Sequence, residues 1–239
     1  VARIEALAGW KDRILWVVPK GQAADYRFQG ATTCIEVRGS RPNICGSRNA
    51  VLDIAFQQNR PAVVFLDDDT KNLRYVYEYE GTHAKQEKVT VAFAVEHLLR
   101  CMDEHPNAKL GGIGPTANWL YVCGGERIKT RAFIQSNFAL VKRTHLRYDS
   151  DLELSEDYDY CIQHLETYGS IVRDDLILGD YQKRTNAGGL QSLANREAAD
   201  IASRARLHRR WPEYVTWPHP KAGTREVLVK WKKVGRSEL

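Results

Sequence analysis

The sequence predicts an α/β fold: a mixed, mostly parallel central sheet flanked by helices, with a basic C-terminal extension. Three observations predict it. Short apolar runs alternate with amphipathic segments between residues 14 and 66, in the order strand, helix, strand, helix, strand. The last of these runs, Ala62-Val63-Val64-Phe65-Leu66, is rich in β-branched residues, follows Pro61 and reads as a buried strand. Three carboxylates, Asp67-Asp68-Asp69, arrive where that strand ends. Ligands of open α/β sheets sit beyond the carboxyl ends of strands.

Residues 14–18 form the first strand, stopped by Pro19 and followed by Lys20-Gly21-Gln22. Residues 22–29 are a short helix or loop, and residues 34–37 a second strand. Residues 46–58 carry Val51, Leu52, Ala55 and Phe56 at helical spacing and lead into the acidic strand. A second amphipathic helix spans 89–104, with Ala92, Phe93, Val95, Leu99 and Met102 as its inner face. Gly111-Gly112-Ile113-Gly114-Pro115 reads as a turn-rich loop, and residues 133–142 as a later strand. Ser155 is a suitable N-cap. Behind it Tyr158, Cys161, Ile162, Leu165 and Tyr168 keep one helical face, and Gly169 fits the C-terminal cap. Glu156 and Asp157 therefore open this helix. Residues 192–210 form a final helix, and residues 227–234 an edge strand in which Lys230, Lys232 and Lys233 surround Trp231.

Charge is unevenly placed. The chain carries a net +5, yet residues 204–239 hold ten Lys or Arg against three Asp or Glu, a net of +7. A near-neutral body, residues 1–203, thus precedes a basic, tryptophan-bearing segment. Such a segment suits a polyanionic partner, or is a solvated face. Arg209, Arg210, Lys230, Lys232 and Lys233 are its candidate nucleic-acid contacts. Trp211, Trp217 and Trp231 either stack on an extruded base or pack the segment onto the body. No apolar run reaches the roughly 20 residues of a membrane span. The first residues lack the plan of a signal peptide. The five cysteines are odd in number and contain no CxxC, which indicates neither a zinc site nor a disulfide framework. Reduced thiols in a cytosol-like compartment, and a monomer, are expected.

Three adjacent acids repel one another, and a divalent cation holding phosphate oxygens is an economical remedy. Strand, acidic triplet, helix, strand and Glu-Asp helix, in that order, resemble the GT-A glycosyltransferases over roughly residues 12–175. The pieces Val17-Val18-Pro19-Lys20-Gly21-Gln22, Arg41-Pro42-Asn43-Ile44-Cys45-Gly46-Ser47-Arg48-Asn49, Phe65-Leu66-Asp67-Asp68-Asp69 and Ser155-Glu156-Asp157 are most similar to the TET/JBP-associated glycosyltransferases. Those are phage relatives of the base J glucosyltransferase. They transfer sugar onto hydroxymethylpyrimidines in DNA. The Asp67-Asp68-Asp69-Thr70 run also resembles the retaining exostosin-like transferases, so stereochemistry stays open.

The resemblance implies a GT-A-like nucleotide-sugar-binding fold and a hexosyltransferase using a UDP-sugar, UDP-glucose first, with Mn²⁺ or Mg²⁺. It implies DNA carrying 5-hydroxymethylcytosine or 5-hydroxymethyluracil as acceptor, and a phage protein acting in the host cytoplasm. Asp69 is the first choice as metal ligand. Asp67 is the second, or contacts the ribose. Asp68 turns to donor hydroxyls or solvent. Lys20 and Gln22 follow the first strand, where such enzymes hold uracil and ribose. Arg48 lies near a phosphate or base, or makes a structural ion pair. Gly188 and Gly189, within Asn186-Ala187-Gly188-Gly189-Leu190-Gln191-Ser192, cradle a phosphate or sugar or form a plain loop. His208 and His219 lie where such enzymes often draw a third metal ligand; one of them, or neither, takes that role, and each reads otherwise as a surface histidine. Glu156 and Asp157 are the catalytic pair. Asp157 is the base of an inverting transfer, kept ionised by the helix N-terminus. A carbohydrate, lipid or protein acceptor, and a non-enzymatic nucleic-acid-binding domain, are the alternatives.

Overall fold

The computed structural model of the chain describes residues 1–10, 14–37, 43–152, 154–181, 196–224 and 226–234. The fold is mixed α/β. It begins with helix α1 (Ala2–Ala8), strand β1 (Trp16–Pro19), helix α2 (Ala23–Phe28) and strand β2 (Cys34–Val37). β1 and β2 pair in parallel as a two-stranded ladder of their own. Trp16, Val18, Ala23 and Ala31 form its small core.

Helix α3 (Ile44–Gln57) leads into β3 (Ala62–Leu66). The Asn43 side chain caps α3 by accepting from the Gly46 amide at 2.8 Å. A hairpin follows, β4 (Thr70–Glu80) and β5 (His83–Val89), and then α4 (Val91–Asp103), whose cap Thr90 accepts from the Phe93 amide. β6 (Leu110–Gly114), β7 (Ile128–Lys129), β8 (Phe138–Lys142), α5 (Glu156–Tyr168) and β9 (Val172–Tyr181) complete the main sheet. Its seven strands run in the order β3-β8-β6-β9-β4-β5, with β7 also on β9. Only the β6–β9 pair is parallel.

The sheet is therefore mixed but mostly antiparallel, and the expectation of a mostly parallel sheet is corrected. The strand, helix, strand order from 14 to 66 is present, yet β1 and β2 do not hydrogen-bond to β3. Contact between the two units is by side chains: Leu66, at the end of β3, packs against the β1–β2 core. β3 is the edge strand of the large sheet, only partly buried except at Phe65.

Two further expectations change. The glycine-rich run read as a turn is the buried strand β6. A Cβ on Gly111 would lie 2.5 Å from Met102 Sδ, and one on Gly112 would overlap Ile134. The glycines let α4 and Ile134 close on the sheet. The inner face of α4 is Val91, Ala94, Val95, Leu98 and Met102, rotated from the expected set. Phe93 packs sideways on Tyr75 and His97 instead.

The chain ends with α6 (Arg196–Arg210), β10 (Val215–Thr216) and β11 (Leu228–Val229), the last two paired antiparallel. The expected strand over 227–234 is thus reduced to two residues. Leu207, Val215, Val229 and Val234 are buried in one cluster with Leu52, Phe65, Tyr160 and Leu165. The basic segment closes the core that α3, β3 and α5 share. Trp231 stacks on Tyr158 with ring centroids 6.1 Å apart, and Trp211 donates to Asp159 at 2.8 Å. Among the described residues no helix is long and apolar enough to cross a membrane.

Candidate active site at the end of β3

The acidic triplet forms the tight turn from β3 into β4. Thr70, fully buried, donates from its amide and its hydroxyl to the Asp67 carbonyl, at 3.1 and 2.8 Å. The Asp67 amide donates to the Asn137 carbonyl at 3.0 Å. Asn137 Nδ2 reaches both carboxylate oxygens of Asp69, at 3.2 and 3.4 Å. One residue just ahead of β8 therefore fastens two of the three acids. Asp68 is exposed and lies on the side of Tyr26 in α2, whose phenol it helps to push up after burial.

Arg48 joins this turn to the second acidic motif. It projects from α3 and is 5% exposed. Its Nη1 donates to Glu156 Oε1 at 2.6 Å, and its Nη2 lies 3.4 Å from Asp67 Oδ1. The guanidinium also stands 5.4 Å from the Tyr148 ring centroid. Burial works against its charge, but Asp67 and Glu156 outweigh burial and hold it protonated. Of the two readings of Arg48, the ion pair is the one observed.

The carboxylates respond to the same enclosure. Burial pushes Asp67 up to about 6. Arg48 opposes this, while Asp69 and Glu156 add to it. Asp157 is pushed up to about 8, first by burial and then by Glu156 beside it. Asp157 Oδ1 accepts from the Tyr158 amide at 2.9 Å. The expectation that the helix N-terminus keeps Asp157 readily ionised is corrected: burial and the neighbouring acid outweigh the dipole. Ser155 occupies the cap position with φ 64° and makes no capping bond through its side chain, also unlike the expectation. A non-glycine residue in the left-handed region is strained, and here it sits directly before the acid pair. Gly169 closes α5 at φ 73° as expected.

Several expected residues lie elsewhere. Lys20 and Gln22 are exposed in the turn after β1, where Glu36 accepts from the Gly21 and Ala23 amides. Gly188 and Gly189 lie outside the described residues. His208 donates from Nδ1 to the Val215 carbonyl at 2.6 Å, and His219 Nδ1 accepts from two amides of its own turn, both at 3.1 Å. Each histidine thus has a local backbone role. Lys230, Lys232, Lys233 and Arg209 are exposed. Arg210, expected to meet nucleic acid, is held by Asp149 at 2.9 Å and Asp159 at 3.2 Å.

Asn137 and Tyr181 belong to the site without having been anticipated. Tyr181 ends β9 opposite Thr70. Burial, then Asp67 and Asp69, keep its phenol protonated. Neither residue stands in a motif. The polar run Gln135-Ser136-Asn137 immediately before an apolar strand was the one available signal.

Asp67 and Asp69 offer hard carboxylate oxygens suited to Mg²⁺ or Mn²⁺; Asp67 is raised first by burial, and the repulsion that Asp69 adds is what a cation would relieve. The three carboxylates of the triplet do not all converge. Among the described residues the one group of three donors lying within 4.8 Å of one another is His97, Cys101 and Asp174, away from this turn. No family model matches the chain, and no curated protein matches it.

Proposed function

We propose that the chain is a metal-dependent glycosyltransferase of GT-A type. It takes a sugar from a UDP-sugar and places it on the hydroxyl of a 5-hydroxymethylpyrimidine in DNA. The observation that carries this reading is the Arg48 fork. Two acidic motifs far apart in sequence, at Asp67 and at Glu156, meet on one guanidinium at the end of β3. A donor-side acid cluster beside an acceptor-side acid is what sugar transfer from a nucleotide diphosphate requires.

In this reading Asp69, oriented by Asn137, and Asp67 hold the cation, which would stabilise charge on the departing diphosphate. Arg48 and Glu156 position Asp67 and the start of α5. Asp157 takes the proton of the acceptor hydroxyl. Its raised pKa suits that task, because a carboxylate poised near neutrality is a stronger base than an ordinary one. Neutral Tyr181 offers a hydrogen-bond donor beside Asp67 and Asp69. The pyrimidine must leave the base stack for its hydroxyl to reach Asp157. The exposed Lys230, Lys232 and Lys233 supply phosphate contacts.

The decisive experiment incubates the protein with hydroxymethylated DNA, a panel of UDP-sugars and Mn²⁺, and analyses the nucleosides by mass spectrometry. A hexose added to the modified base is expected, and it should vanish in excess chelator and in Asp69→Asn. Full turnover in chelator would rule out the metal. UDP-sugar hydrolysis with no labelled nucleoside would move the acceptor to a carbohydrate, lipid or protein. Thermal stabilisation by DNA but by no nucleotide sugar would favour a binding domain.

A further inference from the structure

Three donors of different chemistry meet where α4 packs on β9. His97 and Cys101 are four residues apart on α4, so they share a helix face. Asp174 of β9 is fully buried. His97 Nδ1 lies 2.7 Å from Asp174 Oδ2. Cys101 Sγ lies 4.0 Å from the same oxygen and 3.9 Å from His97 Nδ1. The other Asp174 oxygen accepts from the Leu176 amide at 2.8 Å, which fixes the carboxylate. Tyr75 and Phe93 pack on the His97 ring, with centroids 5.3 and 6.0 Å away. The thiol thus faces both members of the His–Asp pair.

We propose that His97, Cys101 and Asp174 form a zinc site through Nδ1, Sγ and Oδ2, with water as the fourth ligand. Tetrahedral zinc with ordinary bond lengths sets N and O about 3.3 Å apart, and each about 3.6 Å from sulfur. The observed separations of 2.7, 3.9 and 4.0 Å straddle those values, so sub-ångström side-chain shifts complete the geometry. Imidazole and thiolate select zinc over Mg²⁺ and Ca²⁺. His97 and Cys101 are only partly buried, which leaves an approach from solvent. The site clamps α4 to β9 and does not rest on the transferase reading.

The test adds Co²⁺ to chelator-treated protein in excess Mg²⁺, which fills hard carboxylates and competes poorly for thiolate. One equivalent of Co²⁺ should produce a near-ultraviolet thiolate-to-cobalt band and tetrahedral visible bands, both displaced by Zn²⁺. The thiolate band should be lost in Cys101→Ser. Zn²⁺ should raise the melting temperature of wild type and leave that of Cys101→Ser unchanged. No thiolate band at one equivalent, or a band that survives in Cys101→Ser, overturns the proposal. Equal Zn²⁺ stabilisation of both proteins overturns it too.

Discussion

Arg48 is one cation facing two carboxylates inside the protein, and the balance among the three can be measured. Removing the cation leaves Asp67 and Glu156 in a low-dielectric setting without compensation. Arg48→Leu should cost about 3–5 kcal/mol, read from urea denaturation at pH 7. The loss should shrink at pH 5, below the raised pKa of Asp67, where that carboxylate takes up a proton. Asp157 makes a separate case. Its folded pKa is raised to about 8, against about 4 for a free aspartate. Between those values the folded state holds a proton that the unfolded state has released, so this residue's contribution to stability falls as pH rises through that window. Asp157→Asn removes the dependence, and its gain in melting temperature over wild type should grow from pH 5 to pH 8. A pH-independent difference would place Asp157 in ordinary solvent. In the transfer assay the same variant should lose roughly 10²–10⁴-fold in rate while keeping UDP-sugar affinity.

At the scale of elements, legibility followed the locality of the physics. Helices α3 and α5 and strand β3 were readable because their apolar spacing, and Gly169 closing α5, are local to each segment. The pairing of β8 with β3 and with β6 depends on long-range packing, so a parallel sheet was expected where antiparallel ladders formed. β4 and β5 went unread because half-exposed, charge-rich strands carry a weak apolar signal: β5, at the sheet edge, presents Lys85 and Lys88. The glycines of β6 look like turn punctuation in the sequence, whereas their missing side chains leave the space that Met102 and Ile134 fill. Gly112→Ala should therefore overpack the strand by about 1–3 kcal/mol, and Ile134→Val in the same chain should recover part of the loss. Melting curves of the single and double variants decide this. An additive pair would place the two residues out of contact. In the candidate site both acidic motifs were legible as motifs. Their meeting through Arg48, and the parts played by Asn137 and Tyr181, needed the fold.

Taken as a whole molecule, the basic segment is both wall and surface. Val229 and Val234 reach the shared core, Arg131 donates to the Val234 and Gly169 carbonyls, and Trp231 stacks on Tyr158 next to Asp157. Ending the chain after Thr224 should lower the melting temperature well beyond any change of its exposed lysines. Replacing Lys230, Lys232 and Lys233 by Gln should instead leave stability near wild type. It should flatten the dependence of log DNA affinity on log salt, by roughly 0.9 for each phosphate that a lysine no longer neutralises. An unchanged slope would put the DNA on another face.

The span of the Arg48–Glu156 bond also sets a clock. The two residues are separated by 108 positions. At a synthesis rate of roughly 5–20 residues per second, α3 leaves the ribosome several seconds before its acidic partner exists. Until α5 arrives, a newborn chain carries an arginine that has nowhere dry to go, and β3 lacks the neighbour β8 that would seat it in a sheet. Assembly of the acids is thereby postponed until most of the chain has been made. Under the proposed transferase reading, an unfinished polypeptide would hold neither nucleotide nor sugar, and any arrested fragment ending before residue 156 would be chemically silent.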